Sequence, residues 1–276
     1  MSTTIPTVPL SPTVSIPQVG FGVFQVPDDQ TQAAVEAALE AGYRHIDTAA
    51  IYRNERGVGA AVAASGIPRD EIFVTSKLWP ADYAAGDTRP ALEHSLTLLG
   101  LDRLDLYLLH WPSAEQRDYV GAWQRVLAAQ EEGLVRQAGV SNFRPELIDE
   151  LIATSGTTPA INQVKLDPTL QQRGLRAYHD AHGIVTEAYS PLAQAAVLDD
   201  PAIVGIAERL GVTAAQVVLR WHVQAGTVVI PKSVHPERIR TNLDLFSFEL
   251  TADDVTALDA LDAGDPVWDG PLTFNP

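Results

Sequence analysis

The chain has 276 residues, 46% of them apolar, no cysteine and a formal net charge of −16. That length can bury a sizeable core without staples, and the missing thiols exclude a disulfide framework, thiolate metal sites and a cysteine nucleophile. The charge argues against nucleic acid or an anionic membrane as partner, and no run approaches the roughly 18 apolar residues of a membrane span. The start, Met1 to Leu10, lacks the basic residue and apolar stretch of a signal peptide. Arginine outnumbers lysine 16 to 3 beside 37 alanines, the residue balance that GC-rich codons favour, and a cytoplasmic, monomeric protein of bacterial origin is the expectation. No linker or composition shift divides the sequence, so residues 1–276 read as one domain.

Taken in chain order, residues 7–10 and 14–16 flank Ser11-Pro12-Thr13 and read as a hairpin plugging one end of the fold. Short β-branched or aliphatic runs then recur at 19–24, 45–49, 72–78, 104–110, 136–141, 161–166, 184–190 and 227–232. Between them lie helical spacings: 31–41, with Ala34, Val35, Ala38 and Leu39 on one face; 88–99, with Leu92, Leu96 and Leu99; then 119–132, 144–153 and 214–224. Thr213 is placed to cap the last of these, and Thr251, followed by Asp253 and Asp254, to cap another. Eight strand–helix units in about 250 residues predict a (β/α)8 TIM barrel, with an irregular Pro/Gly/Asp-rich tail over 263–276.

Barrel chemistry sits where strands end. The expected ends are His45-Ile46-Asp47-Thr48-Ala49 with Tyr52 beyond, Ser76-Lys77-Leu78-Trp79, Leu108-Leu109-His110-Trp111-Pro112, Gly139-Val140-Ser141-Asn142, Asn162-Gln163, Glu187-Ala188-Tyr189-Ser190-Pro191 and Ile230-Pro231-Lys232-Ser233. Singly each has an ordinary explanation: Asp47 as a turn cap, Tyr52 as a half-buried core phenol, Lys77 as a lysine reaching the rim, His110 as a donor to a loop carbonyl. Four ionisable or phenolic side chains on one rim make a site. No Ser/His/Asp elbow and no glycosidase-like carboxylate pair accompanies them. His179 and His182 share a helix read as facing solvent, so no metal is expected. An ammonium beside a phenol draws its pKa down from about 10, a buried ammonium needs a counterion, and a neutral imidazole can orient a carbonyl. The set therefore suits protonation of a carbonyl oxygen as a hydride reaches its carbon. No G-x-G-x-x-G loop is present, but Lys232, Ser233 and Arg238 at a helix start offer an anion site, Tyr189 a stacking face, and Ser141, Asn142, Asn162 and Gln163 partners for an amide.

These residues carry a resemblance. Gly42-Tyr43-Arg44-His45-Ile46-Asp47-Thr48-Ala49 with Tyr52, Asn54-Glu55 and Val58-Gly59, then Lys77-Leu78-Trp79, Leu109-His110-Trp111-Pro112, Gly139-Val140-Ser141-Asn142-Phe143, Asn162-Gln163-Val164, Ala188-Tyr189-Ser190-Pro191-Leu192 and Ile230-Pro231-Lys232-Ser233 resemble, in order, the motifs of the aldo–keto reductase family. Gly22-Val23-Phe24-Gln25 and the short tail look most like the bacterial 2,5-diketo-D-gluconate reductase branch. The resemblance implies reduction of aldehydes or ketones with NADPH, preferred over NADH, and a small-molecule carbonyl substrate. It implies Tyr52 as general acid, Lys77 as its electrostatic partner, Asp47 as the partner of Lys77 and His110 as orienter of the carbonyl. The cofactor would meet Gly22, Val23, Ser141, Asn142, Gln163, Tyr189, Ser190, Leu192, Lys232, Ser233, Val234, Arg238 and Asn242. Phe24, Trp79, Trp111 and Trp268 would line the substrate pocket. Thr241, Lys165, Asp167, Pro80 and Ala193 depart from the family pattern. The competing classes are a nucleotide-binding sensor without turnover, which the intact set of four argues against, and a barrel lyase, which would need no Tyr52.

Overall fold

The computed structural model describes residues 5–84, 86–112 and 118–264. Strands β1 (Thr7–Pro9) and β2 (Ser15–Pro17) pair antiparallel as the expected hairpin. Eight further strands form one parallel sheet in chain order: β3 (Phe21–Gly22), β4 (His45–Asp47), β5 (Phe73–Leu78), β6 (Leu104–Leu109), β7 (Val135–Ser141), β8 (Ile161–Lys165), β9 (Val185–Tyr189) and β10 (Val228–Val229). A parallel bridge between Val19 and Val229 joins the two edges. Its hydrogen bonds run from Gly20 N–H to the Val229 carbonyl at 2.8 Å and from Val229 N–H to Gln18 at 2.9 Å. This is the (β/α)8 barrel. The two seam strands are shorter than their apolar runs; Pro231 has no N–H to continue the ladder from β10, and Gly22, which donates to the Pro231 carbonyl at 3.2 Å, has no room for a side chain, since a Cβ there would lie 2.9 Å from the Ile230 carbonyl.

Helices α1 (Asp28–Ala41), α2 (Glu55–Ala64), α3 (Thr88–Leu99), α4 (Tyr119–Glu131), α5 (Pro145–Ser155), α6 (Arg173–His182), α7 (Pro201–Leu210), α8 (Ala214–Gln224), α9 (Pro236–Thr241) and α10 (Ala252–Asp259) surround the strands. Thr213 and Thr251 cap α8 and α10 in reciprocal boxes with Gln216 and Asp254. Gly42, at φ 112°, stops α1 and turns the chain into β4. Among the described residues no single helix is long and apolar enough to cross a membrane. Of the tail, 265–276 lie outside the described residues.

Two apolar layers result. The larger lies between strands and helices, around Val35, Ile46, Val74, Leu92, Trp123 and Leu151. The smaller fills the barrel's lower interior: Phe73, Leu106, Leu108, Ile161 and Val228, with Val14 and Ile16 of the hairpin packed beneath. The interior thus runs from apolar at the N-terminal ends of the strands to polar at the C-terminal ends. Gly139 leaves room for this packing, since a Cβ there would meet Ile161 and Leu108 at 2.6 and 2.7 Å.

Two buried histidines tie helices to the barrel. His179 accepts from Asn162 through Nε2 at 3.0 Å, leaving Nδ1 to donate to Thr186 Oγ1 at 2.9 Å. The expectation that this helix face meets solvent is therefore wrong for His179, which is fully buried, and right for His182, which is exposed. His222 of α8 lies 3.2 Å from the Pro191 carbonyl. Burial holds His179 down to about 4 and His222 to about 3, so both stay neutral in the fold while the unfolded chain protonates near 6.5. The unfolded state then binds more protons, and stability falls as pH drops below 6.5 towards these values. Urea unfolding at pH 7 and pH 5 is expected to differ by roughly 2 kcal/mol per buried imidazole, and His179→Asn to flatten that slope.

Candidate active site

Alternation along the strands puts His45 and Asp47 of β4, Thr75 and Lys77 of β5, Gln163 of β8 and Glu187 of β9 inside the barrel. Asp47 pairs in register with Thr75, so Lys77 stands one strand over and two residues further up. After β4 a single 3-10 turn, Ala50–Tyr52, brings Tyr52 back over the strand ends, and Arg53 closes it at φ 58°. Asn54 pins the turn: its Nδ2 donates to the Val23 and Val26 carbonyls, and its Oδ1 accepts from Thr48 at 3.0 Å.

Lys77 is wholly buried, and Nζ has three acceptors: Asp47 Oδ1 at 2.6 Å, the Thr48 carbonyl at 2.9 Å and Tyr52 Oη at 3.5 Å. Gln163 Nε2 donates to Asp47 Oδ2 at 2.8 Å and to Glu187 Oε2 at 2.9 Å. His110 stands across from the phenol, its ring 5.7 Å from that of Tyr52 and 5.1 Å from Trp79. Burial, then Lys77, hold the His110 imidazole well below its usual range, so it is neutral. Burial works against the Lys77 charge, but Asp47 and Tyr52 outweigh it and carry its pKa up. Burial lifts the Tyr52 phenol above its ordinary value, with Lys77 pulling the other way. The ammonium does draw the phenol down as expected, but desolvation outweighs it, so the net shift is upward and the group keeps its proton through the neutral range.

Above this set lies one continuous cleft of about 1150 Å3. Its walls include Gly22, Phe24, Asp47, Tyr52, Trp79, His110 and Trp111 at one end, and Ser141, Asn142, Gln163, Tyr189, Ser190 and Leu192 in the middle. Lys232, Ser233, Val234, Arg238 and Asn242 line the other end. Lys77 itself does not line the cleft, but both Asp47 and Tyr52, to which it donates, do. Val23 does not line it: its side chain is fully buried and its carbonyl serves Asn54. Trp268 lies outside the described residues. Residues the motifs did not indicate also line it, chiefly Ile51 and the 194–199 segment. The exposed Phe24 and Ile51 make an apolar mouth beside Tyr52, and the position of Ile51 one residue before Tyr52 is the only sequence sign of it.

The middle of the cleft is braced internally. Tyr189 Oη donates to Asn142 Oδ1 at 3.0 Å, Asn142 Nδ2 to Ser141 Oγ at 3.0 Å, and Ser141 Oγ to the Gln163 carbonyl at 2.8 Å. The chain after β9 is left-handed at Ser190, Ala193, Gln194 and Ala195, with φ between 48° and 74°, a conformation that costs residues with a Cβ of order 1 kcal/mol or more each. At the far end neither Lys232 nor Arg238 joins an ion pair among the described residues. Two free cations, a hydroxyl and an amide there suit a phosphate-bearing group. His45, Asp47 and Glu187 bring three ligand atoms within 4.8 Å of one another, but the Lys77 ammonium already occupies Asp47.

The aldo/keto reductase family model matches residues 18–263. An aldo-keto reductase of Mycolicibacterium smegmatis is 50% identical over 270 residues, 98% of each chain. A Yersinia pestis protein named methylglyoxal reductase DkgA is 46% identical over 262 residues, 94% of each. A solved structure of a Gox0644 variant in complex with NADPH superposes with a TM-score of 0.91 at 42% identity, covering 94% of each chain.

Removing the ammonium isolates the worth of the buried pair. Lys77→Met keeps length but strands Asp47 in the barrel, and is expected to cost about 3–5 kcal/mol in urea unfolding at pH 7. Unfolding energies within error of the parent protein would place Lys77 outside the pair.

Proposed function

The chain belongs to the aldo/keto reductase family, and from that premise we propose that it is an NADPH-dependent reductase of aldehydes and ketones in which Tyr52 is the general acid. The observation that carries this reading is the phenol of Tyr52 at the cleft wall, 3.5 Å from an ammonium that is itself 2.6 Å from Asp47. A phenol alone is a poor donor at neutral pH. Here burial keeps the proton on until it is needed, and Lys77 stabilises the phenolate that its departure leaves.

The cofactor, when bound, supplies the hydride. The protein's own residues do the rest. His110, neutral and opposite Tyr52, orients the substrate oxygen towards the phenol. Asp47 keeps Lys77 charged. Ser141, Asn142 and Gln163 hold a carboxamide, and Tyr189 offers its ring as a stacking face. Gly22, Ser190 and Leu192 follow the body of the dinucleotide. Lys232, Ser233, Val234 and Arg238 take the 2′-phosphate, with Asn242 on the adenine. Phe24, Ile51, Trp79 and Trp111 keep water from the reacting carbon and favour small apolar carbonyl compounds.

Tyr52→Phe removes one hydroxyl. It is expected to retain NADPH binding, followed by fluorescence titration, and to lose at least about 10²-fold in kcat for an aldehyde. Turnover near the parent rate with NADPH bound would overturn the assignment.

A preference for NADPH over NADH needs local cations on a chain of net charge −16. Arg238→Ala is expected to weaken NADPH about tenfold or more while leaving NADH within about twofold, and NADPH affinity to fall with added salt. Equal loss for both cofactors in calorimetry would remove Arg238 from the phosphate.

A further inference from the structure

Beneath the four residues just discussed is a fifth ionisable group that the mechanism does not use. Glu187 is wholly buried in β9. Its Oε2 accepts from Gln163 Nε2 at 2.9 Å, the same nitrogen that donates to Asp47 Oδ2 at 2.8 Å. Its Oε1 has no hydrogen-bond partner among the described residues and faces His45 Nε2 at 3.7 Å. That imidazole is neutral, held to about 3 by burial and then by Lys77, and its Nε2 is engaged with Thr75 Oγ1 at 3.2 Å. The charged or titratable groups facing Glu187 are thus Asp47 and His45 from β4, Lys77 from β5 and Tyr52 above them. One ammonium serves this chamber. Were Asp47 and Glu187 both ionised, one negative charge would be left over in a dry interior with an oxygen unsatisfied, an arrangement proteins avoid by neutralising the group.

Resting on the reading of Tyr52 as the acid, we infer that Glu187 is a positioning residue: it is carried as the neutral acid, holds Gln163 against Asp47, and through that amide keeps Asp47 the sole counter-charge of Lys77. Burial and then the neighbouring Asp47 push the carboxyl up to about 8, in agreement with this geometry. Above that pH an ionised Glu187 adds a negative charge that raises the Tyr52 phenol. The wild-type protein therefore keeps its acid protonated further into the alkaline range than Lys77 alone would allow.

Glu187→Gln matches the shape of the neutral acid and cannot ionise. The alkaline limb of kcat for NADPH-dependent reduction is expected to move down by about one pH unit. The limb of the reverse alcohol oxidation, where Tyr52 acts as base, should move down with it. A purely structural role would change amplitudes or thermal stability without displacing both limbs in one direction. The second readout needs no turnover: with 13C-labelled glutamate, a carboxyl resonance titrating near pH 8 should be present in the parent protein and missing from Glu187→Gln. A resonance for Glu187 titrating below about pH 6, or unmoved limbs while Tyr52→Phe is inactive, overturns the inference and leaves Tyr52 standing. An active Tyr52→Phe overturns the general acid instead, and the labelled carboxyl still decides the state of Glu187.

Discussion

An ammonium buried inside a barrel, with the Asp47 carboxylate 2.6 Å away, is the constraint around which the rest of this molecule is arranged. Two charges removed from water cost more than their attraction returns unless the remaining donors and acceptors are satisfied. The Thr48 carbonyl accepts a hydrogen bond from Lys77, and the Gln163 amide donates to the second oxygen of Asp47. The layer below stays apolar, and the hairpin residues Val14 and Ile16 seal it from the other end. A sealed lower half makes the polar upper half an environment in which one charge dominates its neighbours.

That one charge sets two groups at once. It adds to burial in keeping His110 unprotonated, and it opposes burial at Tyr52. The two effects have the same sign, since a cation disfavours a second cation and favours an anion. They differ in outcome because desolvation penalises whichever form is charged: imidazolium in one case, phenolate in the other. A neutral ring opposite a protonated phenol follows without any contact between their polar atoms. Asn54, which touches neither, matters because it fixes the turn that carries Tyr52 to the ammonium.

The barrel and its charged rim were legible in the sequence because both depend on spacing. Apolar runs at regular intervals give strands, and Asp47, Lys77 and His110 stand at the ends of three of them. What spacing does not carry is dielectric. Tyr52 and Lys77 can be placed side by side from motifs, yet the sign of the phenol's shift depends on how much water the fold removes. The same limit hid Glu187. It lies two residues before Tyr189 and so on the same face of its strand, a signal that was available, but its state depends on Asp47 across the barrel. His179 was misread for a related reason: a helix with three charged residues among its ten reads as solvated, while the one imidazole turned inward finds Asn162 and Thr186. An apolar run marks burial rather than pairing, so it overstates the length of the seam strands; after β10 the ladder also needs an N–H that Pro231 lacks.

The cation end of the cleft follows different physics. With 35 acidic against 19 basic residues, partners for a surface arginine are plentiful, and Arg69, Arg89, Arg103, Arg125, Arg136 and Arg209 have taken them. Arg238 has an acid immediately beside it in Glu237, but consecutive residues on a helix point about 100° apart and do not face each other. Lys232 follows Pro231 in a segment outside any helix or strand and lines the same end of the cleft as Arg238. Among the described residues neither cation is committed to an acid. An anion arriving there meets positive charge that no carboxylate among the described residues has taken, and long-range repulsion from the rest of the chain is screened within about 10 Å at ordinary salt, so the local pair decides the balance.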